Sequence, residues 1–397
     1  NMATTKVRGE LVDLNESTSE SGLKMPTGDN NNRPTASEGM IRNNTNEASE
    51  GSASCEEYYN GTEWKKINNV AIPPIVGMST LIYSGNGSTQ SLTGLGFKPD
   101  LVWIKNRNGT NPHGLWDSTR GAGKLLVSNT DAAESGNAGD LMGSFDADGF
   151  QVNRNYLAFT AYDNTNWGAG TYVGWAWKAN GGTTSSNTDG NITSTVQVNQ
   201  AAGFSIVQYT GTGSNVQVGH GLGTAPTMVI FKNVSDAVNW YVWTSATGSL
   251  IRFEGLNTDS AAVTSGLSTT LGASTIDFTN TGDYSASGKD YIMYCFAEIS
   301  RYSKFGTYTG NGSTQSITGL GFQPGWVLIK SATQVASWQL FDSARGATKG
   351  LNPNDSAAEF TNANMLTSFD TDGFSLGNQT SVNANTETYI YMAFLTA

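Results

Sequence analysis

Short runs of β-branched and aromatic residues recur along most of the chain, and clusters of glycine, asparagine and proline separate them. Runs of this length, bounded by turn-forming residues, predict β-strands. The segment Phe145–Phe150 predicts two strands joined by an Asp-Gly turn, because glycine adopts a positive φ at little cost. This part of the sequence contains no sustained 3.6-residue apolar period with helix caps. The pattern therefore predicts an all-β fold.

The sequence also repeats itself. Residues 83–99 recur at residues 308–324 with 14 of 17 positions identical, and an apolar strand ending in lysine follows each copy. Two later motifs, Asp-Ser-x-Arg-Gly and Ser-Phe-Asp-x-Asp-Gly-Phe, recur at offsets of 225 and 224 residues. Residues 204–297 form a third, diverged copy, which keeps the Gly-Leu-Gly turn and the apolar strand but lacks both later motifs. Self-similarity of this kind indicates duplicated structural units.

The repeats set the expected domain boundaries. We expect β-sandwich repeats at residues 79–180, 203–300 and 304–397, with a linker at 181–202, because about 95 residues of closely spaced short strands are typical of a sandwich. A barrel or an interleaved assembly is the alternative. Residues 1–78 differ, since they are too polar to form a core alone and predict an extended attachment arm that carries a short hairpin around an Asn-Gly turn.

Composition narrows the possible functions. Only 14% of the 397 residues are charged, but 10 Trp, 15 Tyr and 16 Phe argue for folded cores rather than disorder. The net charge of −11 without a basic cluster argues against nucleic-acid binding, and no apolar run is long enough to insert into a membrane. We also expect no secretory signal peptide. Cys55 and Cys295 lack a metal-type spacing and do not favour a disulfide. With only two histidines, His113 and His220, the sequence predicts a protein that is not an enzyme and has no cofactor.

The repeat motifs resemble a domain found in structural proteins of tailed bacteriophages, especially marine ones. The shared pattern is Tyr-[Ser/Thr]-Gly-Asn-Gly-Ser-Thr, Gly-Leu-Gly-Phe-x-Pro, Asp-Ser-x-Arg-Gly and Ser-Phe-Asp-x-Asp-Gly-Phe. Segments at residues 6–15, 22–28, 39–43 and 58–64 also resemble attachment regions of phage fibre proteins. The resemblance implies a virion structural or tail-fibre protein with jelly-roll or lectin-like sandwiches. It also implies a virion location after assembly in the bacterial host cytoplasm.

The resemblance implies partners as well. We expect a homotrimer, because interwoven β-structure around a threefold axis covers strand edges that a monomer exposes. Other expected partners are a tail or neck adaptor or the major capsid protein, and host surface polysaccharide. Apolar and aromatic residues of the arm are the candidates for virion attachment: Val7, Leu11, Leu14, Met25, Met40, Ile41, Tyr58, Tyr59 and Trp64.

Two Asp/Arg pairs are the first candidate sites in the repeats. Asp117 with Arg120, and Asp342 with Arg345, are interpreted as charge-assisted hydrogen bonds that hold a turn between strands. An active-site or sugar-binding pair is the alternative. The carboxylates of the Phe-Asp-x-Asp-Gly-Phe motifs suggest the start of a calcium loop, but the downstream glutamate is missing, so a hairpin turn is favoured and no metal is expected.

Loop aromatics are candidates for contact with host glycans. Trp116, Tyr162 and Trp167 are the predicted contact residues, with the longer segment around Tyr156 to Trp167 as a variable contact loop. Buried sandwich aromatics are the competing explanation. Together these features predict a non-enzymatic phage structural protein, with a trimeric tail fibre or appendage first. A capsid decoration or head-fibre protein is the alternative, and a polysaccharide depolymerase comes last.

Overall fold

The computed structural model describes residues 27–28, 41–44, 55–59, 62, 64–66, 75–136, 141–153, 165–279 and 281–396. The chain divides into two compact units, residues 1–74 and residues 75–397. Strands hold 43% of the residues and helices 3%, so the all-β prediction is confirmed.

The N-terminal unit contains one four-stranded sheet in its described part. Its strands are β1 (Thr27–Gly28), β2 (Ile41–Asn44), β3 (Cys55–Tyr59) and β4 (Trp64–Lys66). β1 pairs parallel with β2, whereas β2, β3 and β4 pair antiparallel. The register places Tyr58 opposite Ile41 and Tyr59 opposite Trp64. Four of the predicted attachment residues are therefore paired within this sheet.

The second unit contains the three repeats, and each is built from one large sheet and one three-stranded sheet. The first repeat comprises β5 (Met78–Ser84), β6 (Gln90–Thr93), β7 (Leu101–Asn106), β8 (Gly114–Asp117), β9 (Leu126–Val127), β10 (Met142–Asp146), β11 (Gly149–Val152) and β12 (Thr171–Trp177). The middle repeat comprises β13 (Ser185–Asn187), β14 (Ser194–Asn199), β15 (Phe204–Thr210), β16 (Val216–Gly219), β17 (Met228–Asn233), β18 (Tyr241–Thr244), β19 (Ile251–Phe253), β20 (Thr269–Leu271), β21 (Thr275–Phe278) and β22 (Asp290–Phe296). The third repeat comprises β23 (Ser303–Thr309), β24 (Gln315–Thr318), β25 (Trp326–Ser331), β26 (Gln339–Asp342), β27 (Lys349–Leu351), β28 (Phe360–Thr361), β29 (Leu366–Asp370), β30 (Gly373–Leu376) and β31 (Thr388–Phe394).

All three large sheets share one antiparallel topology. Their common strand orders are β5-β12-β7-β8-β9, β15-β22-β17-β18-β19 and β23-β31-β25-β26-β27. β13 and β14 extend the middle sheet, and a 3-10 turn at Gln200–Ala202 leads into β15. The expected linker at residues 181–202 therefore contains two strands of this sheet, Ser185–Asn187 and Ser194–Asn199, and the second pairs with β15.

Each large sheet is buried on both faces. In β12, Val173, Trp175 and Trp177 point into a core that draws residues from all three repeats. Tyr172 and Ala176 point the other way, into a core whose described members all belong to the first repeat, the small sheet among them. β22 and β31 alternate in the same manner. Burial on both faces explains why these strands read as continuous apolar runs rather than alternating ones.

The repeats meet at Trp177. Its ring lies 6.4 Å from Phe296 of the middle repeat, and 5.5 and 6.1 Å from Trp326 and Phe394 of the third repeat. We expected separate sandwiches in tandem. In the structure the three sandwiches pack around a common core and form one compact unit. Two single-turn helices lie in the described part of this unit, α1 (Thr281–Tyr284) and α2 (Thr380–Asn383). No helix in the described segments has the length and apolar character needed to cross a bilayer.

Candidate functional site

The repeats join one another through equivalent backbone hydrogen bonds that close a ring. The N–H groups of Glu134, Ala262 and Glu359 donate to the carbonyls of Val234, Ala332 and Arg107, at 2.9, 2.9 and 2.7 Å. The first repeat thus bonds to the middle one, the middle to the third, and the third back to the first. Each repeat therefore donates one such bond to one neighbour and accepts one from the other.

A buried lysine lies at the end of each central strand, and two of the three reach a neighbouring repeat. Lys105, Lys232 and Lys330 are almost fully buried, and each donates to backbone carbonyls. Lys232 reaches Asp131 O of the preceding repeat at 3.1 Å, and Lys330 reaches Asp259 O at 3.2 Å. Burial lowers the pKa of each ammonium group to about 8.

The first Asp/Arg pair lies at the contact between the first and middle repeats. Asp117 Oδ2 accepts from Arg120 Nε at 2.5 Å and from the hydroxyl of Tyr294 in the middle repeat at 2.8 Å. Asp117 Oδ1 accepts from the backbone N–H of Arg120 at 2.9 Å, which closes the local turn. Arg120 also reaches Glu134 at 3.1 Å. Both members of the pair are buried, so this carboxylate holds a turn and a neighbouring repeat.

The second pair repeats this geometry between the third and first repeats. Asp342 Oδ2 accepts from Arg345 Nε at 2.5 Å and from the indole Nε1 of Trp175 at 2.9 Å. Arg345 and Arg107 both bind Glu359, at 3.2 and 2.8 Å. Burial alone raises the pKa of Glu359, but the hydrogen bonds and charges of the two arginines outweigh it and lower the pKa below its ordinary value.

The interface between the middle and third repeats lacks both the carboxylate and the hydrogen-bond donor of this network. By strand position, Thr244 of the middle repeat takes the place of Asp117 and Asp342. Met392 of the third repeat takes the place of Tyr294 and Trp175. A methionine cannot donate a hydrogen bond, so the loss of the carboxylate and of its donor coincide. The paired loss supports a structural role for the Asp/Arg motif.

The carboxylates of the Phe-Asp-x-Asp-Gly-Phe motifs also bind the chain itself. Asp148 accepts from the backbone N–H groups of Gly94 and Gly96 at 3.1 and 2.6 Å, and Asp372 binds the matching glycines of the third repeat. The middle repeat has no such aspartate. There the ring of His220 accepts from the Leu222 N–H at 3.2 Å and lies 3.1 Å from Gly272 O. Among the described residues no cluster of potential metal ligands occurs.

Of the predicted glycan contacts, Trp167 lies on the surface. Its side chain is 43% exposed, whereas Trp116 is fully buried in strand β8, in the core of the first sandwich. The prediction for Trp116 is therefore corrected, because both faces of β8 are covered. Tyr162 lies outside the described residues, as do Val7, Leu11, Leu14, Met25 and Met40 of the predicted attachment set.

The Gly-Asn-Gly-Ser-Thr turn positions the Trp167 backbone. Asn166 Oδ1 accepts from the Asn86 N–H at 2.9 Å, and Asn166 Nδ2 donates to Asn86 Oδ1 at 3.0 Å. The Trp167 N–H donates to the Tyr172 hydroxyl at 2.7 Å. Asn383 makes equivalent bonds in the third repeat, but there Ala384 follows it. Trp167 is thus a large aromatic ring at a position where an equally held backbone elsewhere carries only a methyl group.

A cleft of about 330 Å³ lies beside Trp167. Residues 106–111 form its other wall and contribute Asn106, Asn108 and Asn111. Asn108 ties the two walls together, because its amide donates to Ala169 O at 3.1 Å and accepts from the Thr171 N–H at 2.8 Å. These asparagines were not predicted as site residues, although they cluster in the sequence just after a predicted strand. An exposed ring beside neutral amides suits a polyhydroxylated ligand.

A comparison with curated proteins gives no match to the chain. One family model matches residues 76–397, which contain all three repeats and exclude the N-terminal unit. The unit that the family defines is therefore the closed set of three repeats rather than a single sandwich. The chain belongs to the family of a domain of unknown function designated DUF7483.

Proposed function

We propose that this chain is a non-enzymatic structural protein of a tailed-bacteriophage virion, a tail fibre or appendage that contacts host surface glycans through the Trp167 cleft. The repeat motifs support the virion assignment through their resemblance to phage structural proteins. The observation that carries the contact function is the exposed Trp167 ring beside an asparagine-lined cleft, at a position where the third repeat has Ala384.

The carboxylates support a binding role over a cleaving one. Glycoside hydrolysis requires two carboxyl groups that flank the bond to be broken and can exchange protons with substrate or water. Asp117 and Asp342 are each buried and bound to an arginine and to a neighbouring repeat. Both are therefore engaged in holding the ring of repeats together. A depolymerase would need carboxylates other than these two.

The closed ring bears on the expected trimer. Each repeat uses its equivalent interface residues within the chain, so three chains cannot associate through those same surfaces. We therefore place the trimer contacts in the N-terminal unit. Solution mass measurement tests this placement: the full chain is expected to be a trimer and residues 75–397 a monomer. A monomeric full chain would contradict it.

Glycan-array screening of the full chain against bacterial surface polysaccharides tests the contact function. Trp167→Ala is expected to weaken binding about tenfold, because the aromatic platform is lost, whereas Trp167→Phe retains part of it. Ser91→Ala, a conservative change on the exposed face of β6, is the matched surface control. Binding that persists unchanged in Trp167→Ala would refute the cleft as the contact site.

A further inference from the structure

A groove of about 550 Å³ lies on the third repeat, and it shares no residue with the Trp167 cleft. It is bordered by the loop after β25, the first residue of β26, strand β28 and the start of α2. Amides and hydroxyls alternate along it with the ring of Phe360 and the side chains of Val335 and Met365. The lining contains no charged residue. This surface is therefore polar but electrically neutral.

Gln339 gives the groove an unsatisfied acceptor. The residue is 3% exposed, and its Nε2 makes only a long contact of 3.4 Å to Ser337 O. Its Oε1 is buried and has no hydrogen-bond partner among the described residues, and the same holds for Ser381 Oγ on the same groove. A buried acceptor left unpaired costs about 1–3 kcal/mol. A ligand hydroxyl that entered the groove and paired with these atoms would remove this cost.

The middle repeat closes the equivalent space with aromatic side chains. Strand register equates Gln339 with Tyr241, since each directly follows the tryptophan that precedes the strand. The Tyr241 ring lies 5.8 Å from Trp243 and 5.3 Å from Tyr284. The Arg252 guanidinium lies 5.1 Å above the same ring and donates to the Tyr284 hydroxyl. In the middle repeat this cluster fills the space around the position that Gln339 occupies in the third.

The third repeat has replaced each member of that cluster by a smaller or more polar residue. Gly350 takes the place of Arg252, because each pairs with the equivalent residue of the neighbouring strand, Phe341 or Trp243. Val382 takes the place of Tyr284, because the backbone carbonyl of each accepts a hydrogen bond from the equivalent tyrosine hydroxyl, that of Tyr308 or Tyr209. In the first repeat the position of Gln339 is Gly114, which has no side chain. The buried glutamine therefore occurs in the third repeat, where the middle repeat has Tyr241 and the first has Gly114, beside which the Trp116 ring fills the space.

We propose that this groove binds a neutral saccharide unit. Sugar hydroxyls donate and accept, so one ligand can donate to Gln339 Oε1 and Ser381 Oγ while it accepts from the amide groups of Asn352 and Gln379, which also line the groove. The apolar Phe360 and Met365 suit the C–H face of a sugar ring. An acidic sugar is disfavoured, since a carboxylate would find no counter-charge there.

Saturation-transfer NMR of the full chain tests this proposal, with glucose, galactose, mannose, N-acetylglucosamine and N-acetylgalactosamine as probes at millimolar concentration. At least one is expected to give a signal. Gln339→Leu should weaken binding about tenfold, and Gln339→Tyr, which copies the middle repeat, should abolish it. All Gln339 variants are compared in a Trp167→Ala background, which removes the other proposed sugar contact, so failure here and failure of the Trp167 cleft are distinguishable.

A stability measurement on the same variants guards against misfolding. Gln339→Leu removes an unpaired buried oxygen and should raise the thermal midpoint of the free chain while it weakens sugar binding. Three outcomes would overturn the proposal: no signal from any of the five sugars, a signal that survives Gln339→Tyr, or binding only of neutral peptides tested in parallel.

Discussion

Truncation of Trp177 tests whether the three repeats fold as one unit. Trp177 belongs to the first repeat, but its ring contacts aromatic residues of both others. Replacement of a fully buried tryptophan by alanine costs about 3–5 kcal/mol. For a unit the size of residues 75–397, an unfolding entropy of about 0.7 kcal/mol/K turns a loss of about 4 kcal/mol into a thermal shift of roughly 6 °C.

The assay reads the effect in a different repeat. Cys295 is a buried free thiol of the middle repeat, and burial raises its pKa to about 12. Its labelling by a thiol reagent, in a Cys55→Ser background, therefore reports opening of the middle repeat. Trp177→Ala is expected to expose Cys295 at lower denaturant, in step with loss of the overall fold. Trp167→Ala, the same substitution at an exposed site of the same repeat, should leave the transition unchanged.

One result would refute the shared core. If Trp177→Ala unfolds the first repeat while Cys295 keeps its original protection, the repeats are independent domains that only touch. A transition that splits into steps with separate midpoints would lead to the same conclusion.

Two further predictions follow from the interfaces and the buried lysines. Tyr294→Phe should destabilise the chain by about 1.5–3 kcal/mol, because it removes a hydrogen bond to buried Asp117. Met392→Leu, at the equivalent position of the third repeat, should cost less than about 1.5 kcal/mol. Equal costs in denaturant titrations would contradict the structural role of the Asp/Arg network. The free energy of unfolding should rise from pH 8 to 9, because the unfolded chain keeps protons on lysines whose folded pKa is about 8. It should fall again above pH 10, because the unfolded chain then loses thiol and tyrosine protons that the folded chain retains. Lys232→Met should reduce the slope by about a third, and an unchanged slope would show that these lysines do not titrate in that range.

The all-β class and the repeats could be predicted because both depend on short local segments of the sequence. A Gly-Asn-Gly-Ser-Thr turn or an Asp-Gly hairpin needs glycine at fixed places, so the motifs survive duplication in recognisable form. In the structure these motifs make local hydrogen bonds: the Asn86 N–H donates to the Asn166 side chain, and Asp148 accepts from the Gly-Leu-Gly loop.

The shared core was missed, although the sequence carried its signal. Strands such as Tyr172–Trp177 are apolar at every position, which indicates burial on both faces. A lone sandwich with one solvated face would alternate instead. The segment Ser194–Asn199 was missed as a strand for the opposite reason, since its serine, threonine and asparagine resemble linker composition while Val196 and Val198 alternate with polar residues.

The candidate sites were only partly predictable for a physical reason. Exposure depends on neighbours that are distant in sequence, so Trp116 and Trp167 look alike in the sequence and differ only once the sheets are assembled. The groove at Gln339 had no signal in its own segment. It becomes visible only when the three repeats are aligned by strand register and Gln339 is set against Tyr241 and Gly114.

A reconstruction of the intact phage particle, with this chain located in the density, tests the central proposal most directly. The account predicts density at the tail or neck, with residues 1–74 against another virion protein and the Trp167 cleft open to solvent. Density spread over the capsid surface would contradict the fibre assignment, and absence of the chain from the purified particle would contradict the virion assignment altogether.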